Sequence, residues 1–106
     1  MSSSLESISK LDEILSSIPL SRWRKMFGEP GIYYDEKFVA IFADGDFFVK
    51  VSPGWDGGGF DQAPPYPGAS LYWLLPHEVW TDSAKLRTIL ESTANSLPAP
   101  KKKNKK

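Results

Sequence analysis

The sequence predicts an α+β fold in which an antiparallel β-sheet is packed by N- and C-terminal helices. Short apolar stretches between residues 31 and 51 are separated by the turn-forming pairs Asp35-Glu36 and Asp44-Gly45, which is typical of consecutive hairpins. Residues near both ends show the three- and four-residue apolar spacing of helices. With 106 residues, of which 41% are hydrophobic, the chain fits one domain with one modest core.

Residues 1–19 are predicted to form an amphipathic helix. A capping box of Ser3 and Glu6 would begin it, and Pro19 would end or kink it. One apolar stripe along this helix comprises Leu5, Ile8, Leu11, Leu15 and Ile18. The stripe indicates that the helix packs one side against the core.

A second short helix is predicted over residues 20–27, ending in a left-handed cap at Gly28. Its basic residues Arg22 and Lys25 stand beside apolar ones, which is typical of a solvated amphipathic turn. The same two cations are also candidates for contact with the phosphates of a nucleic acid.

The hairpin around Asp44-Gly45 assigns side chains to two faces of the sheet. A two-residue type I′ turn sets three pairs, which form the predicted core face: Phe42 with Phe47, Ala40 with Val49, and Phe38 with Val51. The opposite face carries Ile32, Val39, Ile41 and Phe48, and it is more apolar than a solvated face. We therefore expect either this chain's own helix or loop, or a partner subunit, to cover these four residues.

The segment after the hairpins is rich in glycine and proline, reading SPGWDGGGFDQAPPYPGAS over residues 52–70. Loops of this length in small domains are usually functional or mobile. Trp55 would either form an aromatic lid over a small ligand or fold back over the sheet edge. Trp55 and Tyr66 are the candidate residues of a ligand-binding loop.

A further strand and a last helix are predicted after this loop. Residues 71–75 (LYWLL) form the strand, which Pro76 closes, and Thr81 or Asp82 caps the helix. Four apolar residues line one side of that helix: Leu86, Ile89, Leu90 and Leu97.

The net charge of zero hides an uneven distribution. The sequence KKKNKK at residues 101–106 holds five of the 13 basic residues, so the rest of the chain is acidic overall. An acidic body disfavours a broad DNA-binding face. Residues 99–106 are predicted to be a disordered basic tail, and its candidate nucleic-acid contacts are Lys101, Lys102, Lys103, Lys105 and Lys106.

No catalytic group of residues is apparent. The only histidine, His77, is predicted to be a surface residue at a helix start, and cysteine is absent, so a structural zinc site is not expected. The acidic residues Asp35, Glu36, Asp44 and Asp46 lie at turns, where such side chains are favoured. We expect no enzymatic activity and no cofactor or metal. Because no signal peptide or membrane-length apolar run is present, we expect a soluble cytoplasmic protein.

The region after residue 24 resembles the TfoX N-terminal domain family, also called Sxy. The matching motifs are Met-Phe-Gly at 26–28, Gly-Ile-Tyr at 31–33, the apolar strand 38–42, Asp-Gly at 44–45, and the strand 47–51 ending in Lys-Val. Residues 71–76 are similar to the family's Tyr-Tyr-x-x-Pro strand end. The resemblance covers roughly residues 20–97, and we assign the domain to 20–98, standing alone without the family's C-terminal domain.

The resemblance implies a two-layer fold like that of the dimeric secretion chaperones. It also implies regulation of competence genes through protein partners in transcription. We therefore expect a non-enzymatic regulatory module that binds a protein partner or forms a homodimer. The alternatives are an accessory nucleic-acid-binding protein acting through the lysine tail, or a small-ligand site under the Gly/Pro-rich loop. The run KFVAIFADGDFFVKVSP also resembles the MmcQ/YjbR family, which would imply a CyaY-like sheet and DNA binding.

Overall fold

A computed structural model describes residues 4–26 and 28–97. The elements in chain order are α1 (Leu5–Ser16), β1 (Ser21–Met26), β2 (Glu29–Tyr34), β3 (Lys37–Ala43), β4 (Asp46–Val49), β5 (Gln62–Ala63), β6 (Tyr72–Leu75), α2 (His77–Trp80) and α3 (Ser83–Asn95). The strands form one antiparallel sheet in the order β1-β2-β3-β4-β6-β5. All three helices contribute to the core on one face of this sheet, so the predicted α+β class is confirmed.

The first helix is confirmed, with a different cap from the one predicted. Ser4 is the N-cap, and its Oγ accepts a hydrogen bond from the backbone N–H of Ser7 at 3.1 Å. The cap therefore lies one residue after Ser3, which is outside the described residues. Leu11 and Leu15 of the predicted stripe are buried in the core, and so is the neighbouring Ile14.

The helix predicted over residues 20–27 is wrong, because Ser21–Met26 form the edge strand β1. The ladder to β2 gives alternate residues of this segment hydrogen-bond partners and ties the segment to the sheet, whereas an isolated two-turn helix bears the full cost of nucleation. Trp23 faces the core and donates its indole N–H to Asp12 of α1 at 3.0 Å. Leu20, in the left-handed region with φ of 74°, turns the chain from α1 into the strand.

Both predicted hairpin turns are present. The φ angles are 52° and 68° at Asp35-Glu36 and 53° and 83° at Asp44-Gly45, in the region that type I′ turns require. The predicted pairs Phe42–Phe47 and Ala40–Val49 are confirmed. The predicted pair of Phe38 with Val51 is wrong, because β4 ends at Val49 and Val51 lies outside it, 48% exposed.

A β-bulge at Val39 changes the predicted assignment of faces. Ile32 pairs with Ala40 and Tyr33 pairs with Phe38, so Val39 is left without a partner on β2. An extra residue of this kind inverts the alternation of side chains along the strand. Val39 and Ile32 are consequently in the main core, both 0% exposed, while Phe38 packs on the opposite face. The predicted faces of these three residues were wrong, because strict alternation cannot reveal a bulge.

The main core lies between the sheet and the helices. Its centre is an aromatic cluster in which the ring of Trp80 lies 5.1 Å from that of Phe42 and 6.0 Å from that of Phe47. The predicted strand near 71–75 is confirmed as β6, and the predicted last helix as α3. Asp82 rather than Thr81 caps α3, accepting hydrogen bonds from two backbone N–H groups. No helix among the described residues has the length and apolar character needed to cross a membrane.

Candidate functional site

The face of the sheet opposite the helices, called here the open face, carries a second apolar cluster. Its buried members are Ile41, Ala43 and Phe48, of which Ile41 and Phe48 are 8% and 6% exposed. Partly buried residues pack around them: Phe38, Ala63, Tyr72 and Leu74. No helical residue of the described chain belongs to this cluster. Side chains of neighbouring strands therefore bury the centre of the open face, and only its surrounding residues remain available for contact.

One strip along the open face runs from an acidic to a basic side chain. Asp46, Phe48 and Lys50 alternate along β4 and its extension, so all three lie on the same side of the sheet. The pKa of the Asp46 carboxyl is raised, first by partial burial and then by the neighbouring carboxylate of Asp44. None of the ion pairs formed among the described residues includes Asp46. Among residues 4–26 and 28–97, therefore, its negative charge is poorly compensated.

Two neighbouring aromatic rings lie between two cations on the open face, at the basic end of this strip. The guanidinium carbon of Arg22 lies 4.7 Å from the ring centroid of Tyr33, and that ring lies 5.6 Å from the ring of Phe38. The ammonium of Lys50 is 5.2 Å from the centroid of Phe38. These four residues form the cation–aromatic row, in which each ring has a cation close to its centroid.

Arg22 is further held by Glu36 at the first hairpin turn. One guanidinium nitrogen donates a hydrogen bond to Glu36 Oε1 at 2.9 Å. This hydrogen bond is the main cause of a lowered pKa for the Glu36 carboxyl and a raised pKa for Arg22. Both groups are exposed, so the pair positions Arg22 over Tyr33 rather than adding much stability.

The predicted nucleic-acid residues divide between two parts of the chain. Arg22 and Lys25 lie on β1 together with the exposed Arg24, not on a helix. The lysines of residues 101–106 lie outside the described residues. Binding of nucleic acid by the lysine tail, with help from Arg22 and Lys25, therefore stays a prediction.

A groove lies between the Gly/Pro-rich loop and α3. Trp55 and Phe60 form one wall, while Val79 and Ile89 contribute apolar surface and Lys85 contributes a cation, around a volume of ≈ 540 Å³. Trp55 also packs edge-on against Trp73 at 6.2 Å, so it lies back over the sheet while its side chain lines the groove. Tyr66 does not line this groove. It lies near Tyr72, whose pKa is raised first by burial and then by Tyr66.

Two glycines hold this loop close to its neighbours. A Cβ at Gly54 would collide with the backbone carbonyl of Ser92 on α3, and a Cβ at Gly57 would collide with the indole of Trp73. Only glycine permits both approaches. The sequence predicts a functional or mobile loop over residues 52–70, and these two glycines allow that loop to dock on α3 and the sheet.

The titratable side chains of the described residues do not form a metal site. Within residues 4–26 and 28–97, no three His, Cys, Asp or Glu side chains lie close enough to bind one ion. His77 is the exposed first residue of α2, where the sequence placed it, and its ring contacts that of Trp80 at 5.3 Å.

Comparisons with known proteins agree with the resemblance seen in the sequence. The TfoX N-terminal domain matches residues 13–96, which include the second half of α1 as well as the sheet, α2 and α3. The chain is also 37% identical over 86 residues to an uncharacterised 12.7 kDa protein in the trpE 5′ region of Spirochaeta aurantia. That alignment covers 77% of this chain and 72% of the relative. The chain belongs to the TfoX N-terminal domain family.

Proposed function

We propose that this chain is a non-enzymatic regulatory module that binds protein through the open face of its sheet, and that the bound protein is a second copy of itself. The observation that carries the proposal is an apolar cluster on a sheet face over which no described helix lies, with half-buried Phe38, Tyr72 and Leu74 around it. A role in transcription, including competence, is supported by family membership alone.

The charges of the open face favour a second copy. In a two-fold interface both copies use the same surface, so if residue i of the first copy contacts residue j of the second, residue j of the first contacts residue i of the second. If the two-fold axis lies in the interface, passes near Phe48 and crosses β4 at a right angle, Asp46 of one copy faces Lys50 of the other, twice over. This pairing would compensate the carboxylate whose pKa is raised in the single chain.

A charge exchange tests this arrangement. Asp46→Lys and Lys50→Asp should each weaken dimerisation by about tenfold or more, because each places like charges opposite one another. The double variant restores complementary charges and should recover most of the affinity. Sedimentation velocity over a range of protein concentrations measures the dissociation constant, and thermal unfolding confirms that each variant is folded. A wild-type chain that stays monomeric, or a double variant no better than the singles, would contradict the proposal.

Binding of single-stranded nucleic acid is a second candidate function, favoured by the cation–aromatic row. Bases would stack on the half-buried rings of Tyr33 and Phe38 while the nearby cations contact phosphates. Labelled oligothymidine should then bind with an affinity that falls steeply with salt. Tyr33→Ala should weaken binding even after residues 101–106 are removed. Binding lost by tail removal alone would assign it to the lysines instead of the sheet.

A small ligand in the Trp55 groove is a third candidate, favoured by the groove's volume and aromatic wall. Its ligand would have an apolar body and an anionic group near Lys85. Screening of aromatic carboxylates by chemical-shift perturbation tests it. Shifts confined to the groove and lost in Lys85→Glu are expected, and shifts elsewhere would contradict it.

A further inference from the structure

Strand β1, six residues long, is an edge of the sheet, and of its outward-pointing residues Ser21 already donates its N–H to the carbonyl of Ile18. It pairs only with β2 within the described part of the chain, whereas β5, at the other edge, has two residues. The outward N–H and C=O groups of an edge strand are a template on which another extended chain adds. The length of β1 is sufficient for several such hydrogen bonds.

The register identifies the backbone groups that are available. The N–H of Asp35 donates to the carbonyl of Leu20 at 2.9 Å, so this opposed pair is a hydrogen-bonded position of the ladder. Hydrogen-bonded and non-hydrogen-bonded pairs alternate in an antiparallel sheet. The backbone groups of Arg22 and Arg24 therefore point towards β2. Those of Trp23 and Lys25 point away from the sheet.

The side chains along this edge give it a positive charge on an otherwise acidic body. Arg22, Arg24 and Lys25 are all exposed. Arg22 is engaged by Glu36, whereas neither Arg24 nor Lys25 takes part in the ion pairs formed among the described residues. Arg22 and Arg24 share the open-face side of the strand, two residues apart, and Lys25 lies on the other side.

We propose that β1 binds an extended acidic segment of a partner protein, which adds to the sheet as a further strand. Carboxylates at alternate positions of that segment would meet Arg22 and Arg24, while its backbone bonds to Trp23 and Lys25. A second copy of β1 does not fit this edge, because self-pairing would set basic side chains against basic ones. The edge site differs from the proposed dimer contact because it uses the outer backbone edge of β1, whereas that contact centres on Phe48 of β4.

Three labelled peptides of about seven residues test the proposal. The first alternates glutamate with valine, the second replaces each glutamate with glutamine, and the third keeps the glutamates but carries proline where the backbone must hydrogen-bond. Fluorescence anisotropy at about 0.05 M salt should show the highest affinity for the first peptide, with the affinities of the other two lower by about tenfold or more. Equal binding of the proline peptide would overturn the proposal, because charge alone would then explain it.

Variants of the full chain locate the site. Arg24→Glu should lower the affinity for the glutamate peptide by about tenfold. Arg87→Glu on α3 is a charge-matched control and should leave that affinity unchanged. Glu36→Gln should strengthen binding by about twofold or more, because it releases Arg22. Equal losses in Arg24→Glu and Arg87→Glu would contradict an edge site.

Amide hydrogen exchange gives a readout that charge alone would not change. The N–H groups of Trp23 and Lys25 should gain protection when the glutamate peptide binds, while those of Arg22 and Arg24 are already bonded to β2 and should change little. Binding without added protection at Trp23 and Lys25 would refute strand addition. Absence of binding at low salt would refute the proposal as a whole.

Discussion

Because of the bulge, Val39→Ala should lower the free energy of unfolding more than Phe38→Ala does. Strict alternation along β3 predicts the opposite order, since it places Phe38 in the core and Val39 on the other face. Val39 is fully buried, so Val39→Ala should lower the free energy of unfolding by about 2 kcal/mol, from about 0.8 kcal/mol for each carbon lost plus a cavity term. Phe38 is half-buried on the open face. Phe38→Ala should therefore cost only about 1 kcal/mol, well below the roughly 3–5 kcal/mol of a fully buried phenylalanine.

Urea unfolding followed by tryptophan fluorescence measures both values, at protein concentrations low enough to keep the chain monomeric. Val51→Ala is a matched control, because alternation assigns this valine to the core while the structure leaves it outside β4 and exposed. Its cost should stay below about 0.5 kcal/mol. A larger loss for Phe38→Ala than for Val39→Ala, or a core-sized loss for Val51→Ala, would refute the bulged register.

Three further variants test local features. Asp46→Asn should raise the melting temperature of the monomer at about pH 7. The pKa of Asp46 is raised in the folded state, so the ionised carboxylate lowers stability at neutral pH. The gain should vanish below the ordinary Asp pKa of about 3.9, where the carboxyl is protonated in both the folded and the unfolded state. Leu20→Gly should be as stable as Leu20→Ala or up to about 1 kcal/mol more stable by urea unfolding, contrary to the usual preference for alanine, because φ is 74° and the leucine is 62% exposed. Gly54→Ala should lose about 1–3 kcal/mol in the same assay because its Cβ meets the backbone of α3, and an unchanged stability would show that the loop does not dock there.

The site could be predicted only in part, and the reasons lie in two strands, β3 and β1. The sequence correctly placed Ile41 and Phe48 on a second apolar face, because the Asp44-Gly45 turn sets their register to each other. Val39 was assigned to that face by alternation with Ile41 along β3, which the bulge interrupts, and Ile32 lies in the main core because its partner is Ala40. The cation–aromatic row was missed because Arg22 was expected on a helix. Only as part of β1 does Arg22 pair with Tyr33, which in turn pairs with Phe38. Alternation of Arg22 and Arg24 about Trp23 was the one available signal of a strand.

The sequence by itself determined the features that depend on local spacing: the apolar stripe of α1, the two type I′ turns, the pairing of β3 with β4, and the buried side of α3. These follow from preferences that act within a few residues. The tertiary structure alone decided that residues 21–26 form a strand, that Val39 bulges, and that β6 lies between β4 and β5. In each case residues distant in sequence supply the deciding contacts. The β2 ladder and Asp12 draw Trp23 into the sheet, and burial against the helices favours Val39 over Phe38 at the core.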